Sequence, residues 1–350
     1  MALRDIIGQD RAVNILLKTI QRGRIPSSYL FAGESGIGKK FAAVNLAKAL
    51  NCLSREQRAE SREFDACDEC SSCRKIDSGV HPDFLLISPE SNQIRIEEIR
   101  AIDNVLSLKA FEGRYKVVIV DDADTMNQFA ANAFLKTLEE PPDDSLIILI
   151  SSNPARLPDT IRSRCSRINF TPLSLEACRQ VIEKVISQQE AAVGQKGRKP
   201  KGKQANKQKP AVDSEQFSTL MRLSMGRPGN VISGDLIEER EWFINLLKGM
   251  LGAEKDGWTS RDEMEKWFDL MLTLLRDMAV LKMNRDADLI NIDMKEYINK
   301  LSSSVDIKVI IENYQRLSTL KRYFIFNLNK SLTWNYTGSM LRKIMGDIYA

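Results

Sequence analysis

A glycine-rich segment near the amino terminus has the residue types and spacing of a phosphate-binding loop. Residues 33–40 read Gly-Glu-Ser-Gly-Ile-Gly-Lys-Lys and lie between an apolar run and a run rich in Ala, Leu and Lys. We expect a strand, a turn and a helix in that order, so that backbone N–H groups and the positive helix end face a phosphate. Lys39 is expected to contact the terminal phosphates of a nucleotide. An ordinary glycine-rich turn is the alternative to a nucleotide site formed by Gly33, Gly36, Gly38, Lys39 and Lys40.

The residue that follows this phosphate loop (residues 33–39) departs from the usual pattern. A Ser or Thr hydroxyl is needed there to hold magnesium, whereas Lys40 offers a cation that repels the metal. An acidic turn follows the apolar run 115–120, where Asp121 is expected to hold magnesium and Asp122 to orient the attacking water. Asp122 is shorter than the Glu that is commoner at this position, and a solvated acidic turn is the alternative. The sequence therefore predicts a pocket that can hold ATP or ADP but does not support hydrolysis.

Four of the six cysteines are spaced as metal ligands. Cys67, Cys70 and Cys73 follow one another at three-residue intervals, and Cys52 lies fifteen positions upstream of the first. Four thiolates complete a tetrahedral zinc site and leave no position open for water, so the spacing predicts a structural Zn²⁺ ion. His81 is the alternative fourth ligand.

A hydroxyl and two arginines follow another apolar run. Residues 146–150 predict a strand, and Ser152, two residues after it, could sense the terminal phosphate of a nucleotide. Arg162 and Arg164 lie further along the chain. Because arginine is always charged and donates a planar fork of N–H groups, it suits a phosphate that another chain supplies. The alternative is that both arginines pair with surface acids and contribute little.

These residues must be positioned by the strands and helices of the first 170 residues. Continuous apolar runs predict strands at 29–32, 83–87, 115–120 and 146–150. Helical spacing or composition predicts helices at 39–50, 96–107 and 130–140. Two prolines after Glu140 end the last of these helices. Continuous apolar strands between helices are typical of a parallel sheet covered on both faces, so the sequence predicts an α/β domain.

The second half of the chain has a different character. Residues 175–189 predict a helix, and residues 190–213 are rich in Lys, Gln and Gly and predict a flexible insertion. From about residue 236 onward every segment looks helical. One apolar stripe with helical spacing is formed by Trp267, Met271, Leu274, Leu275 and Met278.

The charge distribution limits the classes of partner. The net charge is +4, but residues 194–210 hold seven Lys or Arg and no acid, so the rest of the chain is net negative. Contact with nucleic acid must therefore be local or shared with partner proteins. No run of 18 apolar residues is present, and the amino terminus lacks an apolar signal segment, so we expect a cytoplasmic protein without a membrane span.

Taken together, these residues resemble the clamp-loader branch of the AAA+ ATPases. The matching pieces are the phosphate loop, the four cysteines, His-Pro-Asp at 81–83, the acidic turn at 121–124, Leu-Lys-Thr-Leu-Glu-Glu-Pro-Pro at 135–142 and Ser-Arg-Cys at 163–165. The eight residues at 135–142 are very specific to this branch. The resemblance is dense over residues 1–175 and only general over the C-terminal helices.

The resemblance implies a three-domain AAA+ protein. An α/β domain with a P-loop-type parallel sheet and a zinc module at 52–73 is expected over residues 1–172, a helical lid over 173–235 and an all-α collar over 236–350. It also implies that Arg164 acts as an arginine finger on ATP held by a neighbouring subunit. A second-sensor arginine is expected three positions after a glycine in the lid, but that position is Gly229.

The resemblance further implies a place in the DNA polymerase III holoenzyme, a nucleotidyltransferase, without a polymerase site in this chain. The expected partners are the gamma/tau and delta subunits in a hetero-oligomeric ring, the sliding clamp, and primer–template DNA contacted mainly through the complex. Clamp loading would then depend on ATP that this chain does not itself hydrolyse. One alternative is an ATP-hydrolysing motor subunit of the gamma/tau kind, and another is a stand-alone nucleic-acid-binding module that uses residues 194–210.

Overall fold

The chain folds into two compact units. The first holds Met1–Gln195 with Met225–Gly229, and the second holds Lys196–Ser224 with Asn230–Ala350. The computed structural model describes residues 2–55, 64–89, 93–194, 214–233, 235–252, 257–284, 286–326 and 328–345. The basic insertion predicted at 190–213 lies outside these described residues from position 195 onward. The division into an α/β domain, a lid and a collar stays a prediction.

A five-stranded parallel sheet forms the centre of the first unit. Its strands are β1 (Ser28–Ala32), β2 (Phe84–Ile87), β3 (Lys116–Val120), β4 (Ser145–Ser151) and β5 (Ser166–Asn169). They lie side by side in the order β2-β3-β4-β1-β5. Every residue of β1, β3 and β4 is buried, as expected of parallel strands covered on both faces. The predicted α/β fold class with a parallel sheet is confirmed.

Seven helices lie wholly within the described part of the first unit. They are α1 (Asp10–Arg22), α2 (Lys39–Asn51), α3 (Ser71–Asp77), α4 (Ile96–Leu106), α5 (Gln128–Glu139), α6 (Asp159–Arg162) and α7 (Leu175–Gly194). α5 begins where the Asn127 side chain accepts a hydrogen bond from the Ala130 N–H at 2.8 Å, and it ends before the two prolines, as predicted. α7 continues to Gly194, five residues beyond the predicted end.

The sheet order brings the candidate nucleotide-binding residues to one edge. β4 lies between β1 and β3, with Ala32 opposite Ser151 and Val120 opposite Leu149. The phosphate loop, Ser152 and the acidic turn therefore follow the carboxyl ends of three adjacent strands. In open parallel sheets this edge is where ligands bind.

The second unit contains the C-terminal helices. They are α8 (Ser214–Leu223), α9 (Pro228–Ile232, whose first two residues belong to the first unit), α10 (Asp235–Leu251), α11 (Arg261–Met283), α12 (Lys295–Ser304), α13 (Ile307–Arg322) and α14 (Lys330–Met345). The predicted apolar stripe lies on α11, and all five of its side chains are fully buried. Trp258 packs edge-on against Trp334, with ring centroids 4.9 Å apart, in the same core. Within the described residues, no helix is both long and apolar enough to cross a membrane.

Candidate functional site

The phosphate loop connects β1 to α2 and depends on its glycines. Gly33, Gly36 and Gly38 have φ angles of 149°, 77° and 96°, a region that favours glycine. A Cβ atom on Gly33 would lie 2.4 Å from the carbonyl oxygen of Phe170, so no other residue fits there without a backbone shift. The strand–loop–helix arrangement predicted for residues 29–50 is therefore present.

The loop leaves a row of backbone donors free. The N–H groups of Gly36, Gly38, Lys39 and Lys40 donate to no acceptor within the described part of the chain. They belong to the turn that leads into α2 and to its first turn, where N–H groups have no partner inside the helix. Unpaired donors beside a positive helix end are able to bind phosphate oxygens.

Lys39 is folded back onto the loop. Its Nζ atom donates to the carbonyl oxygens of Gly33 at 2.5 Å and Glu34 at 2.6 Å, and the residue is only 6% exposed. Burial lowers the pKa of Lys39, and the acids at Asp121 and Asp122 oppose this shift. The ammonium group is thus held at the loop by carbonyl oxygens, where it can meet a phosphate.

Lys40 makes direct contact with the acidic turn. Its Nζ atom lies 3.1 Å from a carboxylate oxygen of Asp121 and 3.5 Å from the Ser88 hydroxyl. Asp121 is the residue expected to hold magnesium, and its carboxylate is already paired with a cation. Because an ammonium group already occupies this carboxylate and position 40 offers no hydroxyl, the residues do not fit a magnesium ion, which needs free oxygen ligands.

Two further acids, Asp122 and Asp124, and two hydroxyls, Ser151 and Ser152, lie at the carboxyl ends of β3 and β4. Asp124 accepts hydrogen bonds from the N–H of Ser152 at 3.1 Å and from its hydroxyl at 3.4 Å. Asp122 adopts a left-handed conformation, with φ at 47°. Burial raises the pKa of Asp122, and the neighbouring carboxylates raise it further. The hydroxyl of Ser151 is fully buried and has no partner in the described residues. The Ser-Ser pair thus contains a second hydroxyl that sequence reasoning passed over.

The segment at 225–229 closes over the outer side of the phosphate loop. The N–H of Gly229 donates to the carbonyl oxygen of Gly36 at 2.9 Å. A Cβ atom on Gly229 would lie 2.8 Å from the Cα atom of Gly36, so a side chain cannot be accommodated there unless the loop moves. Arg227 lies 3.6 Å from the carboxylate of Glu34. The contact explains why the position expected for a second-sensor arginine is a glycine.

Arg164 lies in the turn between α6 and β5 and is held by two acceptors. Its guanidinium donates to the carbonyl oxygen of Thr160 at 2.8 Å and to the carboxylate of Glu139 at 2.5 Å. Glu139 is the last residue of α5 and part of the 135–142 segment. The Arg164 side chain is 34% exposed, so the guanidinium is fixed in direction and still reaches the surface. Arg162 instead pairs with Asp159 on α6.

Arg164 and the phosphate loop lie at opposite ends of strand β1. The carbonyl oxygen of Arg164 accepts a hydrogen bond from the Ser28 hydroxyl at 2.7 Å, and Ser28 is the first residue of β1. Gly33 follows the other end of the same strand. Five residues of strand span about 16 Å at roughly 3.3 Å each. Arg164 therefore lies far from the phosphate loop of its own chain.

The four cysteines form one cluster beside α2 and α3. Their sulfur atoms all lie within 4.8 Å of one another, and the Cys67 and Cys73 sulfurs are 4.0 Å apart. Tetrahedral zinc with Zn–S bonds of about 2.3 Å requires sulfur separations of about 3.8 Å, so the cluster fits a metal ion. Burial raises the pKa of Cys67, but N–H groups of Cys70 and Glu69 outweigh this and lower it to about 6. The cluster joins Cys52, at the end of α2, to the start of α3.

His81 is not part of this cluster. Its Nε2 atom lies 3.2 Å from the Ser72 hydroxyl, and its Nδ1 atom accepts a hydrogen bond from the Asp83 N–H at 3.1 Å. The Asp83 carboxylate accepts three backbone N–H bonds from residues 111–113 at 2.7–2.8 Å. Between the two fourth ligands considered, the geometry favours Cys52. The His-Pro-Asp segment instead links α3 to the loop that precedes β3.

Comparison with known proteins finds two family matches. Residues 8–174 match the family described as DNA polymerase III, delta subunit. Residues 255–336 match a second family, described as DNA polymerase III, delta subunit, C terminal. Subunit delta' of DNA polymerase III from Bacillus subtilis is 30% identical over 295 residues, which is 83% of each chain. Subunit gamma of DNA polymerase III from Buchnera aphidicola is 32% identical over 320 residues, which is 88% of this chain and 80% of the relative.

A solved structure of a gamma subunit-related protein from Thermotoga maritima is 20% identical to this chain. It aligns over 94% of this chain and 99% of its own length, with a TM-score of 0.38.

Proposed function

The chain belongs to the family of DNA polymerase III clamp-loader subunits, and we propose that it is a delta'-type member that hydrolyses no ATP and lends Arg164 to a neighbour. The observation that carries this proposal is the place of Arg164, about 16 Å along β1 from the chain's own phosphate loop. The 30% identity with a delta' subunit over most of both chains supports the assignment.

The neighbouring subunit would supply ATP, and Arg164 would supply charge. In phosphoryl transfer, negative charge spreads over the equatorial oxygens of the transferred group. A guanidinium that contacts these oxygens stabilises the transition state. Where such arginine fingers are known, they raise the rate of hydrolysis by roughly 10³- to 10⁵-fold. Thr160 and Glu139 fix the guanidinium before the neighbour arrives, so less side-chain freedom is lost on assembly.

The chain's own pocket supports the absence of hydrolysis. Lys40 pairs with Asp121, the carboxylate that would hold magnesium, and Gly229 leaves no second-sensor guanidinium at that position. The cysteine cluster would hold a structural zinc ion that fixes the end of α2. The helical C-terminal unit would form the collar through which the gamma/tau and delta subunits join the ring, and the ring would place the clamp on primed DNA in the cytoplasm.

The test is a reconstituted clamp loader that carries Arg164→Ala. We expect clamp-dependent ATP hydrolysis and clamp loading to fall, because one hydrolytic site loses its finger. Arg162→Ala is the matched control, since Arg162 lies two residues away and pairs only with Asp159 among the described residues. Arg164→Lys should not restore activity, because an ammonium lacks the planar fork. Unchanged hydrolysis in Arg164→Ala would refute the proposal.

An ATP-hydrolysing motor subunit is the second candidate. The observation in its favour is the complete glycine and lysine pattern of residues 33–39, together with the gamma relative that aligns over 88% of the chain. Purified chain without partners separates the two candidates. We expect no magnesium-dependent turnover, whereas turnover that Lys39→Ala abolishes would establish the motor assignment.

A further inference from the structure

The contact between Lys40 and Asp121 puts a cation at the position where a magnesium ion would lie. We propose that the phosphate loop binds a nucleoside di- or triphosphate without a divalent metal, with the Lys40 ammonium in place of the ion. This goes beyond the arginine-finger function and does not depend on it, because it concerns the isolated chain's own pocket.

The binding surface for the phosphates is already formed. The N–H groups of Gly36, Gly38, Lys39 and Lys40 have no acceptor within the described residues and surround the start of α2. Lys39 is only 6% exposed, and its ammonium needs only to exchange a carbonyl oxygen for a phosphate oxygen. Gly229 bonds the carbonyl oxygen of Gly36 on the outer side and leaves these N–H groups free.

The Lys40 ammonium can neutralise the acidic turn and contact a phosphate at the same time. Its Nζ atom carries three N–H donors and lies 3.1 Å from a carboxylate oxygen of Asp121 and 3.5 Å from the Ser88 hydroxyl, so these two acceptors can take two donors. The third is left for a ligand. The Lys40 side chain is 48% exposed, so it can adjust toward the ligand without breaking a packed core.

A magnesium ion at the same carboxylate would be repelled. Magnesium binds carboxylate oxygen at about 2.1 Å, so an ion on the Asp121 oxygen that Lys40 contacts would lie at most about 5 Å from the Lys40 nitrogen. Two cations at this distance disfavour each other, and the chain offers no hydroxyl at position 40 to offset the repulsion. Removal of magnesium by a chelator should therefore not weaken nucleotide binding.

The experiment measures binding of ATP and of ADP to the purified full-length chain by calorimetry, in magnesium and in excess EDTA. We expect binding in EDTA to be at least as tight as in magnesium, because the metal sequesters part of the free nucleotide. Lys40→Thr frees Asp121 and supplies a hydroxyl, so its binding should become at least tenfold weaker in EDTA than in magnesium. Lys18→Thr removes the same charge from the exposed face of α1 and should behave like the parent chain.

Lys39→Ala should lose binding in both conditions, and thermal melting checks that each variant is folded. Lys40→Ser serves as a second variant should Lys40→Thr fail to fold. The proposal is overturned if the parent chain binds neither nucleotide at millimolar concentration, or if EDTA abolishes its binding. It is also overturned if folded Lys40→Thr stays insensitive to EDTA. Since no neighbouring subunit is present, none of these results bears on Arg164.

Discussion

Replacing Asp83 by alanine should destabilise the first unit by about 4 kcal/mol. The Asp83 carboxylate is 1% exposed and accepts backbone N–H bonds from Phe111, Glu112 and Gly113 at 2.7–2.8 Å. Hydrogen bonds to a charged group contribute about 1.5 kcal/mol or more each, and alanine leaves three donors without an acceptor. The loop before β3 should therefore lose its anchor, although it can recover part of the loss by binding water.

The pH dependence of stability provides a second test of the role of Asp83. Burial raises the pKa of Asp83, but the three N–H bonds outweigh it and the net shift is downward. A carboxylate with a depressed pKa contributes stability that is fully present above its unfolded value of about 4 and is lost as the pH falls through the folded-state pKa. Asp83→Ala should lack this acid-sensitive part of the unfolding free energy.

The assay is urea denaturation of the full-length chain at pH 7 and at several values below pH 4, combined with hydrogen exchange at residues 111–113. Asp143→Ala, an exposed acid in the loop after α5, is the matched control and should change stability by less than about 0.5 kcal/mol. Amide exchange at 111–113 should accelerate only in Asp83→Ala. A loss below about 1 kcal/mol with unchanged exchange would refute the reasoning.

Three further changes have expected outcomes. Cys67→Ser should remove the bound zinc found by elemental analysis and lower the melting temperature, whereas Cys178→Ser should keep the metal; a chain that never contains zinc contradicts the site. Gly229→Ala should lower the melting temperature, by the equivalent of about 1–3 kcal/mol, since its Cβ atom meets Gly36 at 2.8 Å; an unchanged melt contradicts that contact. Glu139→Gln should change unfolding free energy by less than about 1 kcal/mol in urea denaturation, because the pair with Arg164 is half-exposed; a larger loss would mean a structural role.

Local patterns in the sequence were enough to locate much of the nucleotide site. The phosphate loop, the cysteines and the acidic turn are short segments, and flanking apolar runs predict the strands that carry them. β5 was not predicted, because only Ile168 of its four residues is buried and the rest are polar, as befits the exposed edge of a sheet. With only one apolar residue among four, β5 has no alternation of apolar and polar residues from which a strand could be predicted.

Contacts between distant segments were beyond a reading of the sequence. The pairing of Lys40 with Asp121 depends on the place of β4 between β1 and β3, which no local pattern determines. The same is true of Gly229 against Gly36 and of Glu139 against Arg164. The buried hydroxyl of Ser151 was passed over in favour of Ser152, because two adjacent serines at a strand end look alike until the strand is paired.

The most direct measurement is the pre-steady-state burst of ATP hydrolysis by the assembled loader with clamp and primed DNA. Loaders containing Arg164→Ala or Arg162→Ala are compared at equal nucleotide occupancy. If this chain lends its guanidinium to a neighbour, the first variant loses the part of the burst that comes from the adjoining site, and the second retains the full burst. Equal bursts from both variants would contradict the account.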